Sequence, residues 1–233
     1  MNTIGMLGGM SWESSAVYYQ IINRAVQARL GGVHSAKALM YSFDFGEIEA
    51  LQSSGRWDDA TAIMTDVGRT LARGGAGFLM ICCNTMHLMA DAVEQAAGIP
   101  LLHIADPLGE AIRAKGLSRV GLLGSCHTTE NGGIIIDRLR RKFGLEILVP
   151  DADDRAETHR IIVEELVRGR FLDSARETHR RMIAALVARG AQGIILGCTE
   201  IPLLVKPEDS AVPLFDTTTL HALAAVDLAL QGT

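Results

Sequence analysis

Arg73-Gly74-Gly75-Ala76-Gly77-Phe78-Leu79-Met80-Ile81-Cys82-Cys83-Asn84-Thr85-Met86-His87 is the stretch whose reading decides the fold. Glycines give way to an unbroken apolar run, the run stops at a thiol, and an amphipathic pattern begins. A run of about four to six apolar residues after glycine fits a strand buried on both faces, as in a parallel sheet covered by helices. Over residues 86–97 the apolar positions Met86, Leu88, Met89, Ala92, Val93 and Ala96 recur at roughly helical spacing, which predicts a helix closed by Gly98. Cys83 then lies between a strand's carboxyl end and a helix's amino end. Unpaired N–H groups and the helix dipole favour negative charge there, which lowers a thiol's pKa and helps hold a carboxylate.

The passage is used twice. Arg189-Gly190-Ala191-Gln192-Gly193-Ile194-Ile195-Leu196 leads into Gly197-Cys198-Thr199-Glu200, with Cys198 lying 115 residues after Cys83. Val120-Gly121-Leu122-Leu123-Gly124 echoes Ile4-Gly5-Met6-Leu7-Gly8 at an offset of 116. Glycine-bearing strands recur in any doubly wound fold, so the paired cysteines carry the argument for an internal repeat. The expected architecture is α/β: two pseudo-symmetric, doubly wound domains with mostly parallel sheets. Residues 1–98 plus 208–233 form the first, carrying Cys83, and 99–207 the second, carrying Cys198. Ligands bind beyond the carboxyl ends of such strands, where both cysteines fall. Lobes facing across a cleft would bring the two thiols to opposite sides of one ligand in an active site between them.

The rest of the chain follows the same alternation. Residues 3–7 read as the first strand and Gly8-Gly9-Met10-Ser11-Trp12 as a turn open to a ligand, followed by a helix with Val17, Ile21, Ile22, Ala25 and Val26 inward. A strand at 38–43, a short helix carrying Gln52 and a helix at 57–73 complete the approach to Cys83. Later come strands at 99–104, 145–149 and 212–215, and helices starting at Asp106-Pro107 and spanning 155–168, 173–189 and 219–230.

Composition narrows the function. With 233 residues, 48% hydrophobic and 21% charged, the chain is an ordinary globular protein rather than a disordered, collagenous or coiled-coil one. A net charge of −5 without a basic tract argues against nucleic acid, and no membrane span or signal peptide is visible. A cytoplasmic location and a small-molecule ligand are the resulting expectations. Four cysteines, two adjacent and none in a CxxC pair, make neither a disulfide framework nor a zinc site.

Two thiols on opposite faces of a tetrahedral carbon can invert it: one removes a proton and the other supplies one from behind. One must start as thiolate and the other as thiol, so the pair titrates as a coupled unit. Removing a proton next to a carboxylate builds charge on an anion, and hydrogen-bond donors must absorb it. The N–H groups and side chains near Asn84, Thr85 and Thr199 can supply them. No lysine stands in a context that identifies a Schiff-base site, so no cofactor is called for.

These motifs, in this order and spacing, resemble the aspartate/glutamate racemase family, cofactor-independent enzymes of two pseudo-symmetric α/β domains. They are Ile4-Gly5-Met6-Leu7-Gly8-Gly9-Met10-Ser11, Cys83-Asn84-Thr85-Met86-His87, Gly197-Cys198-Thr199-Glu200-Ile201 and Phe215-Asp216-Thr217, and the resemblance covers nearly the full length. It implies that Cys83 and Cys198 are the catalytic acid/base pair. It further implies substrate contacts at Met10, Ser11, Gln52, Asn84 and Thr85 from the first half, and at Thr128, Thr199 and Glu200 from the second. A small acidic amino acid as substrate, a homodimer, and no metal or cofactor are implied with it. Glu200 stands where the glutamate racemases of cell-wall synthesis usually have histidine, and the first turn lacks their Asp-Ser-Gly, which points to the aspartate branch. Some relatives in that branch carry threonine at the first cysteine and favour one direction, so Cys83 implies a reversible enzyme. Thr129 replaces a common methionine and Gly132-Gly133 replace bulkier residues, which implies a looser wall open to a longer or different acid.

Plainer roles compete for each residue. Free cysteine is most often a small buried hydrophobe, and Cys82 reads that way, facing the core. Cys126-His127 is weak evidence for a metal. His87 reads as a helix-start hydrogen bond, His221 as a cap of the last helix, and Glu164-Glu165 as a solvated face. Rival functions are a hydantoin racemase, maleate isomerase or malonate decarboxylase type of reaction, a cysteine hydrolase lacking a placed histidine base, and an acid-binding protein without turnover.

Overall fold

The computed structural model describes residues 1–130 and 133–231. Asn131 and Gly132, part of the loop expected to form a substrate wall, and the last two residues of the expected first domain lie outside the described residues. The chain divides into two compact units, Met1–Ile104 with the tail from His221, and Ala105–Leu220.

The first unit runs β1 (Ile4–Gly8), α1 (Trp12–Leu30), β2 (Ala38–Ser42), α2 (Phe45–Ser53), α3 (Trp57–Arg73), β3 (Phe78–Ile81), α4 (Ala90–Ala97) and β4 (Leu101–Leu102). The second runs α5 (Ala105–Ala114), β5 (Arg119–Leu123), α6 (Cys126–Thr129), α7 (Ile134–Phe143), β6 (Glu146–Leu148), α8 (Ala152–Glu164), α9 (Asp173–Ala188), β7 (Ile194–Leu196), α10 (Ile201–Leu204) and β8 (Leu214–Asp216). A last helix, α11 (Thr217–Leu230), starts in the second unit and passes into the tail. The first sheet has the order β2-β1-β3-β4 and the second β6-β5-β7-β8, every pairing parallel. The two orders are the same order, so the duplicated α/β plan read from the sequence is the fold.

The unit boundaries fall later than 98/99 and 207/208. Leu79 pairs with Leu101 and Met80 with Leu102, which keeps residues 99–104 in the first sheet. Ile194, Ile195 and Leu196 pair with Leu214, Phe215 and Asp216, which keeps 208–220 in the second. Ladder bonds of two- and three-residue strands thus decide where each unit closes.

Strand pleating explains why the apolar runs are unbroken. In the first unit Ile4, Met6, Phe78, Met80 and Cys82 face Tyr18, Ile22 and Val26 of α1 with Ala222, Ala225 and Val226 of the tail. Leu7, Leu79 and Ile81 face the other way, onto Met64, Val67 and Leu71 of α3 and Val93 of α4. Alternate side chains find a core on both faces, each fully buried large one contributing about 1.5–3 kcal/mol. In the second unit Leu123, Ile194 and Leu196 pack with Ile161 of α8 and Met182, Ile183 and Leu186 of α9. Among the described residues no helix is long and apolar enough to cross a membrane.

An ion-pair cluster ties α5 to α7. Arg138 donates to both oxygens of Asp106, at 2.6 and 2.8 Å, and Lys142 Nζ stands 3.0 Å from Oδ2. Burial works to raise the Asp106 carboxyl, but the hydrogen bonds from Arg138 and Lys142 outweigh it and hold it below the usual carboxylate value. A carboxyl depressed in the folded state stabilises above its unfolded pKa, and the contribution drains away as pH falls through the folded pKa. Asp106→Asn is therefore expected to cost about 1 kcal/mol at pH 7, discounted because the two cations are partly exposed. In urea titrations the gap between variant and parent should close below about pH 4. A gap that widens in acid contradicts the assignment.

Candidate active site

Each unit ends its two central strands in the same way. The last ladder bond runs from Cys82 N–H to Leu7 O at 2.9 Å in the first, and from Gly197 N–H to Leu123 O at 2.7 Å in the second. Cys83 and Cys198 are the next residues along, each half-buried at the carboxyl edge of its sheet. Pleating sends Cys82 into the α1 side of the core, fully buried, and packs Cys83 against the α3 side. Burial, and then the neighbouring Cys83, pushes the Cys82 thiol far up, so it stays a neutral core residue, as read from the sequence.

The helix after each cysteine is shorter than expected. In place of one helix from Met86, Thr85–Met89 is a 3-10 turn and α4 starts only at Ala90. After Cys198, α10 is a single turn. A macrodipole needs many aligned peptides, so the dipole contribution expected at both thiols is small.

The Cys83 turn is anchored by a buried histidine. Ile104 N–H donates to His87 Nε2 at 3.1 Å, which makes Nε2 the unprotonated nitrogen; Nδ1–H then donates to Cys83 O at 2.8 Å. The rings of His103, tilted, and His221, edge-on, lie 4.6 and 5.7 Å from that of His87 between centroids. His221 Nε2–H donates to Leu102 O at 2.9 Å, and its Nδ1 lies 3.1 Å from Tyr18 Oη. His221 is thus a core residue and not the cap of α11. Asp216 caps that helix, accepting from Thr218 N–H and Thr219 Oγ1. We expect His87→Leu to lower stability by about 2–4 kcal/mol in denaturant unfolding, because two buried backbone groups lose partners. A cost under about 1 kcal/mol contradicts the anchoring role.

Of the other first-unit residues implied by the resemblance, Met10, Gln52, Asn84 and Thr85 lie at or beside this turn, and Ser11 heads α1. Met10 lies 3% exposed in the apolar cluster against which Cys83 packs. Ser11 is the N-cap residue of α1, and its carbonyl accepts from Ser15 Oγ at 2.8 Å. Gln52 Nε2 donates to Met86 Sδ at 3.0 Å, bringing α2 against the turn that holds Asn84, which is buried, and Thr85, which is half-buried. In the second unit Thr128 and the Gly197 carbonyl both crowd Gly124, 3.2 and 3.1 Å from where its Cβ would stand, so the α6 turn abuts the Cys198 turn. Thr128 Oγ1 lies 3.1 Å from Ser125 Oγ. Glu200, 2% exposed, accepts through Oε2 from Cys198 Sγ at 2.9 Å and from Thr199 Oγ1 at 3.0 Å.

The profile of the Asp/Glu/hydantoin racemase family matches residues 7–225. This chain belongs to that family. A crystal structure of a Yersinia pestis protein described as an Asp/Glu racemase is 49% identical, with a TM-score of 0.91, covering 99% of this chain and 100% of the other. That of an aspartate racemase homologue from Pyrococcus horikoshii OT3 is 32% identical, with a TM-score of 0.82 over 98% and 99%. A glutamate racemase of Roseiflexus sp. (strain RS-1) is 29% identical over 174 residues, 72% of this chain and 60% of the relative's length.

Three supporting residues were given no role in the sequence, although one of them, Thr217, was quoted within a motif. Ser15 Oγ accepts from Gly9 N–H at 2.8 Å and holds the first glycine turn. Ser125 supports Thr128, and buried Thr217 donates to Leu196 O at 2.9 Å, two residues before Cys198. The offset of 116 aligns Ser125 with Gly9 and so marked its turn; nothing marked Ser15. Cys126 Sγ lies 3.5 Å from His159 Nδ1, not joined with His127 in a ligand pair. Burial and then Glu130 push the Cys126 thiol up against the pull of nearby N–H groups. Glu165 is also no solvated residue: it is 7% exposed and takes Arg160 at 3.0 Å, while Glu164 stays outside.

Proposed function

We propose that this chain is a cofactor-independent racemase that interconverts L- and D-aspartate, with glutamate as the longer alternative, by proton transfer at Cα between Cys83 and Cys198. The observation that carries this reading is equivalence: each thiol is the first residue past the last ladder bond between matching strands of a duplicated sheet. A symmetric reaction, with a proton leaving one face of a carbon and another arriving at the opposite face, suits duplicated acid/base groups. The aspartate racemase homologue at 32% identity supports aspartate, and the glutamate racemase relative supports the broader acidic class.

In this mechanism one cysteine begins as thiolate and removes the Cα proton, while the other, as thiol, protonates the carbanion from behind. Charge building on the substrate carboxylate is met by N–H groups and side chains of Asn84 and Thr85 on one turn and Thr199 on the other. Met10, Ser11, Gln52 and Thr128 complete the substrate contacts. Four cysteines standing as thiols suit a reducing cytoplasm, and a homodimer is proposed on the resemblance.

The test is incubation with L-aspartate and, separately, L-glutamate without added cofactor, followed by chiral separation. Approach to equal amounts of both enantiomers supports the reading, and the faster acid names the substrate. Release of ammonia or carbon dioxide, or binding without change, points to one of the rival functions.

A further inference from the structure

The two cysteine turns match in their place at the strand ends but not in chemistry. The position that holds Thr85 in the first turn holds Glu200 in the second, 115 residues on. Glu200 is 2% exposed, and its Oε2 accepts from Cys198 Sγ at 2.9 Å. A carboxyl ordinarily ionises near pH ~4.3 and a thiol near ~8.5, so a proton shared between them rests on sulfur. The bond is therefore S–H to carboxylate. Ionising Cys198 would break it and put a second negative charge beside the first, both of which favour the neutral thiol. Two nearby titratable groups are engaged elsewhere. Asp216, in register with Leu196 on β8, spends its carboxylate on Thr218 and Thr219, and Cys126 pairs with His159.

We propose that Glu200 holds Cys198 in its protonated form, so that the resting enzyme is set to take a proton with Cys83 and deliver one with Cys198. This rests on the two-thiol reading above, and it moves Glu200 from substrate contact to partner of the acid. In a turnover the Cys83 thiolate takes the Cα proton, and the Cys198 S–H bond breaks as its proton passes to the carbanion. Cys198 is left as thiolate. Solvent then returns a proton to Cys198 and removes one from Cys83, and Glu200 favours that reset. At equilibrium the two enantiomers have equal free energy, so kcat/KM is the same for both. The asymmetry acts on which protonation state the free enzyme holds.

The experiment is iodoacetamide alkylation of the full-length protein without substrate, following the Cys83- and Cys198-bearing peptides by mass spectrometry between pH 5 and 10 (about the span over which thiols titrate). In the parent, Cys198 should begin to react at higher pH than Cys83. In Glu200→Gln, whose neutral amide removes the negative charge and can donate to a thiolate, Cys198 should alkylate about tenfold faster or more at pH 7, with Cys83 little changed. An unmoved or slowed Cys198 in a folded Glu200→Gln overturns the proposal. So does a parent in which Cys198 ionises below Cys83, a measurement that needs no variant. Because no substrate is present, the result separates from the functional reading: racemisation with the reversed thiol order sinks this inference alone, and the expected order without racemisation sinks the function alone.

Discussion

Serine in place of Cys83 or Cys198 is expected to slow racemisation about 10²- to 10⁴-fold, the usual scale of one acid/base group. The exchange is nearly isosteric, so stability should hold while kcat falls. A hydroxyl is a far weaker acid than a thiol and is not ionised in water near neutrality, so a serine cannot serve as base on either turn. Cys82→Ser provides the contrast. Cys82 is fully buried, one residue before Cys83 and on the opposite face of the strand. A hydroxyl placed there should cost about 1–3 kcal/mol of stability and leave kcat near that of the parent. Steady-state rates with matched urea titrations separate the cases. A Cys83→Ser or Cys198→Ser enzyme within about threefold of the parent rate would remove that thiol from the chemistry.

The largest structural effect is expected at Gly9, between β1 and the Met10-Ser11 turn. Its φ is +88°, and an added Cβ would lie 2.4 Å from the Phe43 nitrogen and 2.5 Å from the Phe43 oxygen. Phe43 N–H is bonded to Gly8 O at 3.0 Å, so that backbone has no freedom to retreat. Gly9→Ala combines left-handed strain with a backbone clash, and about 2–5 kcal/mol of stability should be lost. Gly55 has φ +70° with nothing within 4 Å of its Cβ position. Gly55→Ala should cost only the strain, about 1–2 kcal/mol. Equal costs at the two positions would show that the close approach at Phe43 contributes nothing.

Much of this architecture could be read from residues because burial on both faces leaves a plain mark. Ile4–Gly8 and Phe78–Ile81 are apolar without interruption since Met6 and Met80 meet one helical layer while Leu7 and Ile81 meet the other. The offset repeat then located both cysteines at equivalent strand ends. The short strands at Leu101–Leu102 and Leu214–Asp216 lie within or overlap the stretches read as strands, but which sheet each joins is decided by pairing with β3 and β7, which no local pattern marks, and the unit boundaries were misjudged there. Burial of Glu165 and His221 depends on helix phase and on partners far away in the chain, such as Tyr18, 203 positions from His221. The Cys198–Glu200 bond was hidden for another reason. Whether residues i and i+2 meet depends on the turn's dihedral angles, which composition does not specify.

The central claim is that two thiols, one on each face, handle the proton of one carbon. Deuterium wash-in tests it most directly: L-aspartate is turned over in deuterated water and both enantiomers are analysed for Cα label at low conversion. Two bases predict D-aspartate carrying solvent deuterium while the remaining L-aspartate keeps its original proton. Early deuterium in the unreacted enantiomer, or D-aspartate that retains the substrate's own proton, would mean that a single base serves both faces and would contradict the account.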